Sequence, residues 1–462
     1  MAELIAESAT RVVAMLKSGA VSADELLDAL QARITAVDGE INALPTLCFE
    51  RARAAARKVD SASILAGLPV TIKDLDDVAG VRSTSGSLVY ADHVPEQSDW
   101  LVERIEANGG VVYAKSNTPE FGSGAQTFNE VFGTTHNPWD LSLTPGGSSG
   151  GAAAALASGT AWLAQGSDLG GSLRTPASFC GVCSLRPSPG LITSGPGDQP
   201  FEVYAQKGPM ARDVSDLALF TDAMSGMSDL AGIAKPASPD QFRRAVTTPT
   251  RPLRIACSED LGIAETAAEV REVFRQAMLK LQADGSGIEY AHPDVSMADA
   301  AFDVPRALSY ALSFGDQLDQ IRDLIKPENV WNIEYGLGLS NTEIRKSMAA
   351  QGQIFNHAAR FMQDYDLLIC PVAIVAPFSV EERYLGAREG LDPSQYYRWL
   401  RLAYAITATT LPVITVPCDK TADGLPVGIQ LIGKPHGEQA LFSHARHIEQ
   451  VFGWNPIELI ED

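Results

Sequence analysis

The sequence lacks a continuous apolar segment long enough to cross a bilayer. The longest candidate, around residues 367–378, is interrupted by Pro371 and Pro377, whereas a membrane-spanning helix requires about 20 apolar residues. The N-terminus carries Glu3 and Glu7 ahead of any basic residue, and its first apolar stretch is too short for a signal peptide. We therefore expect a cytoplasmic protein that is not embedded in a membrane.

Basic residues are scarce. The chain has 36 Lys and Arg against 57 Asp and Glu, which gives a formal net charge of −21 over 462 residues. A surface this acidic repels nucleic-acid phosphates and anionic lipids, so we expect neither as a partner. The remaining composition, 45% hydrophobic and 20% charged, is that of a globular protein with a large core and excludes a disordered chain.

Cysteines are also few, and their spacing does not indicate a metal site. Cys180 and Cys183 form one C-x-x-C pair, but neither a second pair nor a histidine pair of the usual spacing follows. We interpret the two as packed thiols of a reducing compartment and expect no metal and no cofactor.

The distribution of apolar residues predicts an α/β protein. Ser22 and Glu25 form a capping box ahead of one apolar helical face. Short apolar runs then alternate with helical or Gly/Pro-rich stretches, which is typical of a largely covered sheet. The predicted strands are Leu68–Ile72, Gly110–Ala114, Ala161–Ala164 and Leu411–Val416. Residues 225–360 are more polar and helical in pattern, consistent with either a cap over a site or an outer helical layer.

Two glycine and serine clusters, residues 144–152 and 166–176, differ from the rest of the chain. Adjacent glycines let the backbone approach a ligand and turn its N–H groups inward, because no Cβ blocks the approach. This composition is suited to an oxyanion hole. A tight turn of small residues would explain one cluster, but two clusters favour a site.

The first cluster also fits the G-x-S-x-G nucleophile elbow, which would nominate Ser149, or Ser148 in the frame one residue earlier. An elbow needs a strand directly before the serine, whereas residues 137–145 form a loop-like stretch with two prolines. It also needs a later histidine, and none has a context that singles it out. The candidates are His292, His357, His436, His444 and His447. We therefore disfavour an elbow.

A serine without a histidine base needs another proton acceptor. Lysine can serve when burial and neighbouring groups lower its pKa so that the neutral amine is populated. Lys73 is the candidate, because it follows the apolar run Gly67–Ile72 and would emerge from the end of a buried strand. A lysine at a strand end is more often a solvated surface residue, so this position alone leaves both interpretations open.

Three motifs in this order and spacing resemble the amidase signature family of serine hydrolases: Ile72-Lys-Asp74, Gly146-Gly-Ser-Ser-Gly-Gly151 and Gly166-Ser-Asp-Leu-Gly-Gly-Ser172. Further matching segments extend the likeness across the chain: Ala114–Phe121, Asn137–Asp140, Phe179–Gly181, Leu411–Pro417 and Gly424–Gln430. The resemblance implies an α/β amidase signature fold, in which helices cover both faces of a mixed central β-sheet.

The resemblance also implies a Ser–cis-Ser–Lys triad. Ser172 is the expected nucleophile, Ser148 the bridging serine whose preceding peptide is cis in the family, and Lys73 the base. Neutral Lys73 would take a proton from Ser148, which would take one from Ser172 as it attacks a carbonyl. The reverse transfer would protonate the leaving nitrogen, as an amide requires.

The same resemblance implies the groups around the substrate. Gly122 and Ser148 are expected to border its acyl part. The expected oxyanion hole is made by the backbone N–H groups of Leu169, Gly170, Gly171 and Ser172. Residues that choose the substrate are expected within 300–400, with these aromatic candidates: Tyr310, Phe314, Trp331, Tyr335, Tyr396, Tyr397 and Trp399.

Two departures from the family pattern stand near the site. Ser167 replaces a frequent threonine, and Ser184-Leu-Arg-Pro187 stands where Gly-Leu-Lys-Pro is frequent. Neither changes the expected catalytic roles. We also hypothesise a charge pair between Asp168 and Arg174 that shapes the loop before Ser172.

These observations predict one amidase domain over residues 1–462. Its expected parts are N-terminal helices 1–65, a signature core at about 66–220, a variable helical cap at about 225–365 and a C-terminal return to the sheet at 366–462.

The expected activity is hydrolysis of small, aryl-bearing or other amides through a serine acyl-enzyme, with ester and carbamate (urethane) cleavage as further activities. The expected partner is that small-molecule substrate, and a homodimer is compatible with the sequence. The alternative is the A subunit of a glutamine-dependent tRNA amidotransferase, which the net charge of −21 disfavours.

Overall fold

A computed structural model of the chain describes residues 2–193, 195, 199–229, 231–387 and 390–461. The helices of these residues are α1 (Ala2–Ala6), α2 (Ala9–Ser18), α3 (Ala23–Ile41), α4 (Phe49–Ala56), α5 (Trp100–Ala107), α6 (Gly150–Ala157), α7 (Arg174–Cys180), α8 (Val214–Met224), α9 (Gln241–Thr247), α10 (Ala268–Ala283), α11 (Ala298–Phe314), α12 (Leu318–Ile321), α13 (Pro327–Leu337), α14 (Asn341–Phe361), α15 (Arg401–Thr409), α16 (Glu438–Phe452) and α17 (Glu458–Glu461).

The strands are β1 (Thr46–Leu47), β2 (Pro69–Lys73), β3 (Val111–Ser116), β4 (Phe128–Asn129), β5 (Gly133–Thr134), β6 (Leu163–Asp168), β7 (Cys183–Arg186), β8 (Gln206–Ala211), β9 (Arg254–Cys257), β10 (Gly287–Tyr290), β11 (Leu367–Pro371), β12 (Val413–Lys420) and β13 (Pro426–Ile432). Eleven of them form one sheet in the order β1-β3-β2-β6-β8-β7-β12-β13-β11-β9-β10, and β4 pairs with β5 apart from it. The sheet is mixed: β2 is parallel to β3 and β6, whereas β8, β7 and β12 pair antiparallel. The predicted α/β fold with a mixed central sheet flanked by helices is confirmed.

Local sequence signals account for several element ends. The predicted capping box is present, since Ser22 accepts from the N–H of Glu25 and Glu25 accepts from that of Ser22. Ser340 and Glu343 make a second capping box at the start of α14. Each satisfies backbone N–H groups that the first turn of a helix leaves unpaired.

Two strands lie in the segment for which the sequence predicted helices. β9 and β10 are four residues each and pair in parallel at one edge of the sheet. Only three residues of β9 are buried and β10 is largely exposed, so neither strand produced an apolar run that stood out. The rest of that segment carries α9 to α14.

The sheet brings the signature motifs together at one edge. β2 and β6 are neighbouring parallel strands, with Thr71 opposite Ala164. Their carboxyl ends therefore lie at the same edge, where β2 ends at Lys73 and β6 at Asp168.

Among the described helices, none has both the length and the apolar character needed to cross a membrane.

Candidate active site

Lys73 is the last residue of β2, and its side chain is fully buried, with 0% exposure. Its Nζ lies 2.7 Å from Ser148 Oγ, 3.0 Å from Ser149 Oγ and 3.1 Å from Ser167 Oγ. All of its partners in the described chain are thus hydroxyls. A lysine held only by hydroxyls gains little compensation for burying its charge.

The neighbouring strand shows the contrast. Lys115 on β3 is equally buried, but its Nζ has a carboxylate partner, Asp74 Oδ1, at 2.8 Å. Lys73 has none, and burial lowers its pKa from 10.5 to about 7, although the negative charge of Asp168 opposes the shift. A substantial fraction of Lys73 is therefore the neutral amine near pH 7, the form that can accept a proton from Ser148.

The loop before α6 carries the two adjacent serines. The peptide bond between Gly147 and Ser148 is cis, and a Cβ on Gly147 would lie 3.0 Å from the backbone of Ala125. Ser149 is the N-cap of α6 and follows a loop rather than a strand. The strand that a nucleophile elbow requires is therefore missing, and both serines instead face Lys73.

Ser172 lies in the loop that joins β6 to α7. It is half-buried and lines the same cavity as Ser148, and its carbonyl accepts from the N–H of Ser149 at 3.0 Å. The two serine loops are thus tied by a backbone hydrogen bond. The Ser172 hydroxyl has no hydrogen-bond partner in the described part of the chain.

The backbone donors of this loop differ in one respect from the expected oxyanion hole. The N–H of Gly171 donates to Asp168 Oδ1 at 3.0 Å, so this donor is already engaged. The N–H groups of Leu169, Gly170 and Ser172 have no partner within the described residues. Three of the four expected donors are therefore without a partner among the described residues, and the carboxylate that ends β6 folds back onto its own loop and occupies the fourth.

A buried ionic cluster holds this loop. Asp168 accepts from Arg174 at 2.8 Å and 3.0 Å, as the sequence hypothesis proposed, and also from Arg186. Burial disfavours the ionised carboxylate, but the two guanidinium groups outweigh burial and hold the pKa of Asp168 below its usual range. Sequence reasoning missed Arg186, although it occupies the position where the family often has lysine.

Arg174 extends the cluster to the C-terminal part of the chain. It donates to the carbonyl of Ala403, to Thr407 Oγ1 on α15 and to Gln430 Oε1 on β13, at 2.6–2.8 Å. A fixed carboxylate, two arginines and the sheet thus determine the conformation of the Ser172 loop.

A cavity of about 370 Å³ opens onto Ser148 and Ser172. Of the aromatic residues expected around the substrate, Tyr310, Phe314 and Tyr397 line it, as does Gly122. The others pack behind the wall: Trp331 stacks on Tyr335, Trp399 packs against Phe179 and Phe378, and the Tyr396 hydroxyl accepts from Asn332. Their helical pattern did not distinguish cavity wall from core.

Sequence reasoning missed many of the other lining residues, among them Phe121, Phe302, Arg306 and Tyr404. Phe121 stacks on Phe314 with ring centroids 4.3 Å apart, and Phe302 stacks on Tyr404 at 4.7 Å. Phe121 directly precedes Gly122, which was a usable signal. Six aromatic rings thus form part of the walls, a surface that suits a flat or apolar substrate.

The cysteines and histidines singled out in the sequence lie elsewhere. Cys180 contacts the carbonyl of Pro145 and Cys183 contacts Glu449, and burial raises the pKa of both thiols. No histidine is among the described residues that line the cavity. The described residues contain no His, Cys, Asp and Glu group arranged to hold a metal ion.

Residues 25–442 match the family model described as Amidase. Among curated proteins, the chain is 34% identical to the A subunit of the Glutamyl-tRNA(Gln) amidotransferase of Moorella thermoacetica, covering 94% of each. It is 31% identical to the Acylamidase of Rhodococcus erythropolis, covering 97% of this chain and 96% of the relative. The solved structure of 6-aminohexanoate cyclic dimer hydrolase complexed with substrate superposes with a TM-score of 0.90 at 25% identity, over 98% of both chains. A bacterial aryl acylamidase shares the fold, with a TM-score of 0.88 at 23% identity over 99% and 98% of the two chains.

Proposed function

This chain belongs to the amidase signature family and is a hydrolase of that family acting on amide C–N bonds, and from that premise we propose that its substrates are small aryl-bearing or apolar amides. Esters and aryl carbamates, including urethanes, are further proposed substrates, because the same acyl-enzyme chemistry can hydrolyse them. The observation that carries the proposal is the buried Lys73 at 2.7 Å from Ser148 Oγ, beside the cavity that Ser172 also lines.

In the proposed mechanism, neutral Lys73 accepts the proton of Ser148 while Ser148 accepts that of Ser172. The Ser172 oxygen then attacks the substrate carbonyl. The N–H groups of Leu169, Gly170 and Ser172 stabilise the resulting oxyanion, and removing one such donor typically costs about 3–4 kcal/mol.

Collapse of the tetrahedral intermediate breaks the C–N bond. The chain of hydroxyls returns the proton to the departing nitrogen, so the amine leaves neutral. Water, deprotonated through Ser148 and Lys73, then attacks the acyl ester on Ser172 and releases the acid.

The alternative is a glutamine-using component of a tRNA amidotransferase, which the 34% identity to such a protein favours. The cavity supports the hydrolase instead. Among the described residues, two carboxylates line it, and both are engaged: Asp76 contacts Lys207 and Gln165, and Asp168 contacts the two arginines. The α-ammonium group of glutamine would therefore find no described lining carboxylate that is not already paired with a cation.

The test is hydrolysis of an anilide, a primary aryl amide, an aryl carbamate and glutamine by the purified protein. Ser172→Ala and Lys73→Ala should each lose at least about a thousandfold in kcat/KM. Ser61→Ala, which changes an exposed serine outside the motifs, is the matched control and should retain full activity. Cleavage of glutamine alone would establish the alternative, and full activity of Ser172→Ala would refute the proposed nucleophile.

A further inference from the structure

Arg306 is a buried cation at the cavity wall. It lies on α11, is 5% exposed and lines the cavity that contains Ser148 and Ser172. Tyr310, Tyr396 and Tyr397 surround its guanidinium, with ring centroids 4.5–5.1 Å away. The faces of three rings hold the group in place and stabilise its charge, but rings accept no directed hydrogen bond.

The hydrogen bonding of Arg306 is far from complete. A guanidinium has five N–H donors, and the described residues provide one acceptor, Asn332 Oδ1. Burying a charged group without paired acceptors is unfavourable, so such groups are normally matched by carboxylates or other oxygens. The cavity is the direction from which further acceptors can come.

The carboxylates around Arg306 are already matched to other cations. Asp303, one turn earlier on α11, accepts from Arg398 at 2.8 Å and 2.9 Å and from the Tyr397 hydroxyl. Asp299 accepts from Arg401 and Tyr404. No ion pair joins Arg306 to any described carboxylate.

The charged groups that line the cavity show the same imbalance. Within the part of the chain that the structure describes, they are Asp76, Asp168, Lys207 and Arg306. Lys207 contacts Asp76, and Asp168 pairs with arginines behind the wall. Arg306 is therefore the lining cation without a carboxylate partner among the described residues, and the cavity offers a positive, planar donor to whatever occupies it.

We propose that the substrate carries, apart from the scissile bond, a second planar oxygen acceptor that binds Arg306. The acceptor is a C–O group of the carboxylate or carbonyl type, and its source is either a free carboxylate or the carbonyl of an ester or second carbamate. Ser309 and Ser313 also line the cavity, about one and two turns after Arg306 on the same helix. This proposal rests on the proposed amidohydrolase function and names its substrate class.

The test uses anilides whose acyl chains end in a carboxylate, a methyl ester or a methyl group. Methylene spacers of two to five carbons separate the end group from the scissile carbonyl, so its intrinsic reactivity stays equal. A second set carries the same end groups, through spacers, on the amine side. In at least one set, the wild-type protein should prefer an acceptor-ended substrate over its methyl-ended twin by about tenfold to hundredfold in kcat/KM. A carboxylate preferred over the ester identifies an anionic group, and equal preference identifies a carbonyl.

The variants assign that preference to Arg306. Arg306→Met should reduce the ratio of acceptor-ended to methyl-ended kcat/KM to near one. Arg306→Lys keeps the charge but loses the planar donor pair, so it should retain part of a carboxylate preference and lose an ester preference. Arg322→Met is the matched control, because Arg322 is an exposed arginine that pairs with Glu334. This variant should leave the ratio unchanged.

Several outcomes would overturn the proposal. Equal kcat/KM for all end groups in both sets would do so, as would a preference that survives in Arg306→Met. If Arg306→Met does not fold, the proposal would also be excluded by a folded Arg306→Lys variant that keeps the full wild-type preference for ester-ended over methyl-ended substrates. Cleavage of methyl-ended anilides that depends on Ser172 but shows no preference overturns only the Arg306 proposal. Failure to cleave any anilide instead overturns the proposed function itself.

Discussion

The burial of Lys73 predicts how activity depends on pH. Burial lowers the pKa of Lys73 from 10.5 to about 7, and that difference corresponds to roughly 5 kcal/mol against the charged form. Only the neutral amine accepts a proton from Ser148. The neutral fraction, and with it kcat/KM for an anilide, should therefore be roughly tenfold lower at pH 6 than on the plateau above pH 8.

The same burial predicts a pH-dependent stability. Below about pH 7 Lys73 is charged in the folded and the unfolded chain, and the folded state bears the full cost. Between about 7 and 10.5 the unfolded chain binds more protons at this site, so the contribution of Lys73 to the free energy of unfolding becomes less unfavourable as pH rises. Above 10.5 both states are neutral and the cost is absent.

Two measurements check this reasoning. Steady-state rates from pH 5.5 to 9 should rise with one ionisation near pH 7, and Lys73→Arg, which stays charged, should be inactive throughout. The free energy of unfolding, measured by urea titration, should rise more steeply with pH for the wild type than for Lys73→Met between pH 7 and 10. The variant lacks this titration. A rate that is flat from pH 6 to 8, or an active Lys73→Arg variant, would refute the assignment of Lys73 as the base.

Three further substitutions test the site and its frame. Arg174→Met leaves Asp168 buried with one guanidinium fewer and should lower the free energy of unfolding by about 3–5 kcal/mol in urea titrations, with a loss of rate. Gly171 has a φ of +116°, which residues with a side chain rarely adopt, and a Cβ at this position would lie 2.7 Å from Ala403 Cβ. Gly171→Ala should therefore lower kcat about a hundredfold while KM changes little. Phe314→Ala removes a ring that lines the cavity and stacks on Phe121. This change should raise KM about threefold to tenfold for aryl amides but not for short alkyl amides.

The sequence was most informative where one residue has one physical role. An apolar run that ends in lysine predicted that Lys73 terminates a buried strand, and the structure contains that strand. The contact between Lys73 and Ser148 joins residues 75 positions apart, and spacing alone could not predict it. The expectation that these residues meet came from the resemblance to a family.

The cavity wall was less predictable, for a physical reason. Buried aromatic residues of core and of cavity walls follow the same helical spacing, so Tyr310 and Trp331 were equal candidates, yet only Tyr310 lines the cavity. The partner of Arg174 on β13, Gln430, is 256 residues away, and no local pattern connects them. The use of the Gly171 N–H by Asp168 depends on the exact path of a loop, which composition does not specify.

The anchoring of Arg174 has a consequence for the order in which the protein is made. The ribosome releases the segment with Ser172 long before Ala403, Thr407 and Gln430, which lie 229 to 256 residues after Arg174. A nascent chain thus holds the proposed nucleophile and base while the residues that anchor Arg174 are still missing. We expect chains that end before residue 400 to be inactive, so that activity appears only after the segment that contains Ala403, Thr407 and Gln430 has been synthesised.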